Sequence, residues 1–138
     1  MELKQKLDIE LSNLNQAVYT FSQSLLIKPA SKYSEIELDL IKNGKIQKFE
    51  YCTELAWKVS KIFLEYQTAE VILSPKMVYK SLYLNKLIAE ELYFDLCKTL
   101  EDRNKLSHIY KEEMYNEVYQ NLEKHLIALQ TLIIILNS

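Results

Sequence analysis

A short segment near the end of the chain carries residue types that can act on a phosphate. Arg103 is the only arginine in the protein, and it lies five residues before His108, one of only two histidines. Arginine keeps its positive charge and can bind a phosphate through two parallel hydrogen bonds. Histidine, with an ordinary pKa of about 6.5, can accept or donate a proton near neutral pH. The pair is the minimum equipment for cutting or modifying a phosphodiester, with Arg103 gripping the phosphate and His108 acting as acid or base.

Polar neighbours of this pair can share one side of a helix. On a helix that continues through residue 110, Arg103, Ser107 and Tyr110 lie on one stripe. Asn104 and His108 lie on the stripe next to it. We therefore expect Asn104 and Ser107 to position a substrate and Tyr110 to line the site. If the helix ends near residue 108, a loop can bring the same groups together. A solvated helix end with an Asn–Ser pair has the same spacing and is the structural alternative.

A second cluster of charged residues lies in the middle of the chain. Glu50, Glu54 and Lys58 follow one another at intervals of four residues, which places them on one stripe of a helix. An exposed ladder of ion pairs has the same spacing and contributes only about 0.3 kcal/mol per pair. Aromatic neighbours favour partial burial instead, and the two carboxylates are then expected to support Arg103 from across the protein. Asp102, directly before Arg103, is also expected to support the site.

The second histidine provides a contrast. His125 lies within a helical stretch and has no polar cluster beside it in the sequence. We therefore predict a structural role for it.

The composition excludes several other kinds of chemistry. The single glycine, Gly44, cannot build the glycine-rich phosphate loops of nucleotide-binding folds. No Glu-x-x-His or His-Glu-x-x-His spacing occurs, so we expect no metal and no cofactor. A net charge of -2 argues against a broad nucleic-acid-binding surface. We expect no DNA binding, and any contact with RNA has to be local.

The chain has the make-up of one cytoplasmic domain over residues 1–138. Its hydrophobic and charged fractions, 49% and 26%, are those of a globular protein with a real core. The N-terminus lacks the apolar segment of a signal peptide, and the apolar run at 132–136 is too short to cross a bilayer. Cys52 and Cys97 fall within apolar-periodic stretches, so we expect reduced core residues, with a disulfide as the less favoured alternative.

Apolar residues at spacings of three and four predict long amphipathic helices in the first half of the chain. The first covers residues 2–27. The second covers residues 35–66, with Ser34 as its cap and with Ile36 and Leu40 on its buried side. The only glycine of the chain is expected to break or bend this second helix, because glycine weakens a helix interior by about 1 kcal/mol.

The second half of the chain predicts three further helices. A serine and a proline at 74–75 start a short third helix over about 75–84, and Asn85 is expected to stop it in a left-handed conformation. A fourth helix runs from about Ile88 into the Arg103 segment, and a fifth carries the periodic apolar residues of 114–133. The pattern predicts an all-α fold, an antiparallel up-and-down four-helix bundle with an additional short helix. The first and fifth helices carry more hydrophobic surface than one short bundle needs, so we expect a homodimer.

Two blocks of the sequence, taken in order, resemble the HEPN superfamily. The first, at 46–58, reads Ile-Gln-Lys-Phe-Glu-Tyr-x-x-Glu-Leu-Ala-Trp-Lys, and the second, at 102–110, reads Asp-Arg-Asn-x-x-Ser-His-x-Tyr. Ser74-Pro75 lies between them. The branch that they resemble is the nucleotidyltransferase substrate-binding proteins, the partners of minimal nucleotidyltransferases (MNT). By helix pattern the resemblance extends over the whole chain.

This resemblance implies a dimeric helical toxin of an MNT–HEPN toxin–antitoxin pair. Arg103 and His108 then form a metal-independent ribonuclease site, and the MNT antitoxin neutralises the toxin by transferring AMP to the motif tyrosine, here Tyr110. An alternative for the same branch is a non-catalytic subunit that binds the nucleotide or substrate of a two-part nucleotidyltransferase. The chain departs from the family pattern outside the Arg–His–Tyr core, and Lys111 alters the surroundings of Tyr110.

Overall fold

The computed structural model describes residues 2–107 and 112–138, and within those ranges the ordered elements are helices without any strand. Six helices follow one another within these two ranges: α1 (Leu3–Leu25), α2 (Glu35–Thr68), α3 (Pro75–Leu84), α4 (Glu90–Leu106), α5 (Glu112–Gln120) and α6 (Leu122–Leu136). The predicted all-α class is confirmed. The predicted fifth helix is divided at Asn121 into α5 and α6.

The long helices form an antiparallel bundle around one core. Helix α6 packs against α1, α2 and α4, while the short α3 lies against α2 and α4. Lys4 lies over the ring of Tyr66, which joins the start of α1 to the end of α2. Lys28, just after α1, pairs with Glu123 at the start of α6 at 3.0 Å. Helix α1 therefore runs opposite to both α2 and α6. The predicted bundle with a short accessory helix is confirmed.

Helix α2 begins as predicted but is not broken at its glycine. The Ser34 hydroxyl accepts a hydrogen bond from the Glu37 N–H, and the Glu37 carboxylate accepts one from the Ser34 N–H, which is a complete capping box. The helix then continues through Gly44 to Thr68, so the expected break is wrong. Just after the glycine, the buried Lys45 donates to the carbonyl of Ile27 at 2.5 Å. Tertiary packing of this kind outweighs the weak helix propensity of one glycine.

The first turns of α2 are not part of the core. Ile36 and Leu40 are 65% and 64% exposed, so the prediction that they are buried is wrong. The buried side of α2 begins only at Lys45 and Ile46, where α1 and α6 cover it. Helical periodicity locates an apolar stripe but does not show how far along the helix the neighbouring helices extend.

Helix α3 ends at Leu84 as predicted, but the left-handed residue that follows it lies one position later than predicted. Asn85 is not left-handed, because its φ is -84°, and the left-handed residue is Lys86 with φ 62°. The N–H of Leu87 bonds to the carbonyl of Leu82, and that of Lys86 to the carbonyl of Tyr83, each at 2.9 Å. This is the Schellman arrangement, in which the residue after the last helical cap takes the left-handed conformation.

Both cysteines are free and buried, as the apolar periodicity predicts. Burial raises the pKa of the Cys52 thiol to about 12, so this side chain behaves as a small apolar group. Among the described residues, no helix is long and apolar enough to span a membrane.

Candidate phosphate-binding site

Arg103 lies in the last turn of α4. This helix ends at Leu106, and Ser107 closes it with an N–H bond to the carbonyl of Asn104 at 3.0 Å. Within the described residues, the helix that carries Arg103 thus ends inside the predicted motif. His108 and Tyr110 lie outside the described residues, so their place beside Arg103 stays a prediction.

The guanidinium of Arg103 is held by a carboxylate from the neighbouring helix. Its Nη2 lies 3.3 Å from Oε2 of Glu54 on α2, and the two side chains are 30% and 35% exposed. The other Glu54 oxygen pairs with Lys58 Nζ at 3.3 Å. The sequence block around Glu54 and the Arg103 segment thus meet in space, as their patterns predict.

The carboxyl groups of Glu54 and Glu50 have pKa values that are shifted in opposite directions. Burial raises the pKa of Glu54, but hydrogen bonds from Trp57 and Lys58 and the charges of Arg103 and Lys58 lower it further than burial raises it. Glu54 is therefore ionised at neutral pH. For Glu50, burial dominates and raises the pKa, and the charge of Arg103 offsets only part of this.

Most of the donor capacity of Arg103 remains unused within the described part of the chain. A guanidinium has five N–H donors, and Glu54 forms an ion pair with one edge of it. The Nε atom is buried and has no hydrogen-bond partner among residues 2–107 and 112–138. An oxyanion that reaches this guanidinium would find donors that no described residue satisfies.

The remaining predicted site residues lie around the end of α4 in different directions. The Ser107 hydroxyl is exposed and makes a long bond of 3.4 Å to the carbonyl of Arg103. Asn104 is exposed and lines a cavity of about 350 Å³ beside Ser74 and Pro75 at the start of α3. The described structure therefore places Asn104 next to Arg103 but towards a different helix.

Asp102 is the centre of a buried polar cluster that joins α4 to α6. Its Oδ2 lies 2.6 Å from Nε2 of His125 and 3.1 Å from the amide of Asn121, and its Oδ1 lies 3.3 Å from Lys105 Nζ. Burial raises the pKa of Asp102, but hydrogen bonds from His125 and Asn121, the charge of His125 and the bond from Lys105 lower it below its usual value. An ionised carboxylate only accepts, so the proton of this contact is on Nε2.

His125 belongs to this buried polar cluster, which the residues beside it in the sequence do not indicate. Its imidazole is 4% exposed, bonded to Asp102 and stacked on the ring of Phe49, with centroids 4.9 Å apart and planes at 17°. Asn121 precedes it by four residues and therefore shares its helix face, which was the only signal in the sequence. The carboxylate partner comes from another helix and has no signature in local spacing.

In the described ranges, no three His, Cys, Asp or Glu side chains are placed so that they can hold a metal ion.

Comparison with known proteins decides the family. The family model described as nucleotidyltransferase substrate binding protein like matches residues 9–138, nearly the whole chain. The chain belongs to this family. No curated protein sequence matches it.

Solved structures share the fold of this substrate-binding-like protein. A protein of Thermus thermophilus aligns with a TM-score of 0.77 at 21% identity, over 91% of this chain and 99% of its own. The tri-AMPylated HEPN toxin of Shewanella oneidensis, solved with MNT antitoxin, aligns with a TM-score of 0.75 at 18% identity. The alignment covers 95% of this chain and 96% of the toxin chain. A chain of a toxin–antitoxin structure with AMP-PNP aligns with a TM-score of 0.73 at 18% identity, over 94% of this chain and 96% of its own.

The family match confirms the nucleotidyltransferase substrate-binding branch that the two sequence blocks indicate, and the solved structures show that the chain shares the fold of an HEPN toxin. At such identities the solved structures show a shared fold and leave the activity of this family member to be argued from its own residues.

Proposed function

We propose that this chain is the toxin half of an MNT–HEPN toxin–antitoxin pair and a metal-independent ribonuclease. Membership of the nucleotidyltransferase substrate-binding-like family and a fold shared with an HEPN toxin support this. The observation that carries it is the placement of Arg103: a half-exposed guanidinium, anchored on one edge by Glu54 and with a buried donor unused among the described residues.

In the proposed reaction, Arg103 binds the scissile phosphate through donors that Glu54 leaves free. His108 takes the proton of the ribose 2′-hydroxyl, whose oxygen bonds to phosphorus, or gives a proton to the 5′-oxygen as its bond to phosphorus breaks. Asn104 and Ser107 position the RNA. Glu54 holds the guanidinium in place, and its negative charge opposes overly tight binding of the phosphate.

RNA cleavage by the purified protein tests this proposal. We expect the wild type to cleave RNA in the presence of a chelator, and His108→Ala to lose about 10²–10⁴-fold in rate. Arg103→Ala should lose activity as well. Lys28→Ala removes one exposed cation that pairs with Glu123 and with none of the proposed site residues, so it is the matched control and should keep the activity. Equal rates in all four proteins, or no cleavage by the wild type, would contradict the nuclease proposal.

We further propose that an MNT partner silences this toxin by transferring AMP to Tyr110. The Shewanella oneidensis HEPN toxin of the same fold is tri-AMPylated in its complex with MNT antitoxin, which supports the transfer. Intact-mass measurement after incubation with the partner and ATP should show AMP-sized additions that disappear in Tyr110→Phe. Additions that persist in this variant would place the modification elsewhere.

The alternative function is a non-catalytic subunit that binds the nucleotide or substrate of a two-part nucleotidyltransferase. The family description, substrate binding protein like, favours it. It predicts nucleotide binding that weakens in Arg103→Ala, without RNA cleavage and without AMP on Tyr110. The cleavage and mass experiments therefore distinguish the two functions.

A further inference from the structure

The last turn of a helix is the part that opens most easily, and Arg103 lies there. Helix α4 ends three residues later, so the carbonyls of this turn have no following helical N–H groups to accept hydrogen bonds from. A phosphate-binding guanidinium needs a fixed direction, because its two parallel hydrogen bonds depend on geometry. Something outside α4 has to hold this turn.

The buried carboxylate of Asp102 is the contact that can do so. Successive residues of an α-helix point about 100° apart. Asp102 points to α6, where His125 and Asn121 both donate to its Oδ2. Its neighbour Arg103 therefore points away from α6, and there it meets Glu54 of α2. Fixing the rotation of α4 at Asp102 fixes the direction of the guanidinium.

A carboxylate at this place needs such donors. It lies near the C-terminal end of α4, where the helix dipole is negative and disfavours an anion. It is also buried, so its charge has lost most of its hydration. The donors from α6 compensate for both effects, and without them the carboxylate is expected to turn to solvent and carry the last turn of α4 with it.

We infer that His125 is a positioning residue for Arg103: its buried imidazole holds Asp102 from α6 while its ring is stacked on Phe49 of α2. The stacking keeps the donor nitrogen aimed at Asp102, and it joins α2, α4 and α6 at the level of the site. His125 is buried and acts through Asp102, so it has no contact with a substrate in this role. The inference deepens the proposed function, which assigns the phosphate grip to Arg103.

The composition makes Arg103 unusually easy to observe. It is the only arginine, so its Nε–H gives the only arginine side-chain signal in a ¹⁵N NMR spectrum of the full-length protein. The Nε atom is buried, so its proton should exchange with water more slowly than that of free arginine. The exchange rate measures the order of the last turn without any RNA.

Four variants test the inference. His125→Phe keeps the aromatic stack but removes the donor, and the Arg103 Nε–H should exchange about tenfold faster or more. His125→Gln restores a donor and should exchange within about twofold of the wild type. Asn121→Ala removes the weaker donor to the same oxygen and should give a smaller acceleration. Leu132→Val, a core change two turns further along α6, is the control for lost stability and should leave the rate unchanged.

The outcomes separate this inference from the nuclease proposal. The inference would be overturned if the Arg103 Nε–H exchanged at the wild-type rate in both His125→Phe and Asn121→Ala. It would also be overturned if Leu132→Val accelerated the exchange as much as His125→Phe does. If His125→Phe does not fold, unchanged exchange in Asn121→Ala alone overturns it. With an RNA substrate, His125→Phe should lower kcat more than it changes KM, and His125→Gln should recover the rate. If the wild type does not cleave RNA, the nuclease proposal fails while the exchange result still decides the role of His125.

Discussion

Asp102 and Arg103 are adjacent in sequence, yet each binds a different helix. Asp102 accepts hydrogen bonds from α6, and Arg103 pairs with Glu54 of α2 at 3.3 Å. One turn of α4 therefore holds a buried anion with its hydrogen-bond donors and a half-exposed cation whose Nε–H has no partner among the residues that the structure describes. This division explains how the protein can keep a guanidinium ordered while leaving part of it for a ligand.

The pH dependence of stability should report the Asp102 contacts. The pKa of this carboxyl is lower in the folded protein than in the unfolded chain, where it is about 3.9. Its contribution is therefore fully present above the unfolded pKa and is lost as pH falls through the lower folded pKa. Asp102→Asn should lower the free energy of unfolding by about 1–3 kcal/mol at pH 7.

Urea unfolding at several pH values checks this prediction. The difference in unfolding free energy between the wild type and Asp102→Asn should shrink from about pH 5 downwards. Glu37 and Glu54 also have lowered pKa values, but both are present in the two proteins and cancel in the difference. A difference that stays constant from pH 7 to pH 3 would contradict the account.

At the scale of elements, helix α2 shows what the sequence can and cannot predict. Its start follows from the Ser34 cap and its middle from apolar periodicity, and both are confirmed. Its exposed first turns and its continuity through Gly44 depend on where other helices end, which periodicity does not encode. The same limit applies to the site: Glu54 and Arg103 were predictable as charged stripes, whereas the contact of Asp102 with His125 depends on the rotation of α6.

The continuity of α2 leads to a prediction for its glycine. A Cβ built on Gly44 would meet no atom within 4 Å, so an alanine fits there without strain. Gly44→Ala should raise the free energy of unfolding by about 0.5–1 kcal/mol, because alanine loses less backbone entropy in a helix. Thermal or urea unfolding of the two proteins measures it. A lower stability of the alanine variant would mean that this face of α2 needs the bare backbone.

At the scale of the whole molecule, α6 leaves an apolar stripe on the surface. Ile127 and Ile134 are 63% and 70% exposed and lie seven residues apart, on the same face of the helix. Exposed apolar stripes of this kind are typical of surfaces that bind another protein. We propose that this stripe contributes to a homodimer, in agreement with the excess hydrophobic surface of the last helix in the sequence.

Light scattering at micromolar concentration tests the dimer. The wild type should have twice the chain mass of 16.3 kDa, and Ile134→Glu should shift it towards the monomer by burying an unpaired charge in the interface. Ile134→Thr, a smaller and uncharged change, should keep more of the dimer. A wild type that is monomeric throughout this concentration range would contradict the proposal.

The most direct test of the central claim is the cleavage rate of Arg103→Lys at saturating RNA. The substitution keeps the positive charge but removes the planar pair of donors that grips a phosphate. If Arg103 binds the scissile phosphate in this way, kcat should fall by about 10²-fold or more while the protein stays folded. A lysine variant that cleaves RNA as fast as the wild type would contradict the assignment of Arg103 as the phosphate-binding group.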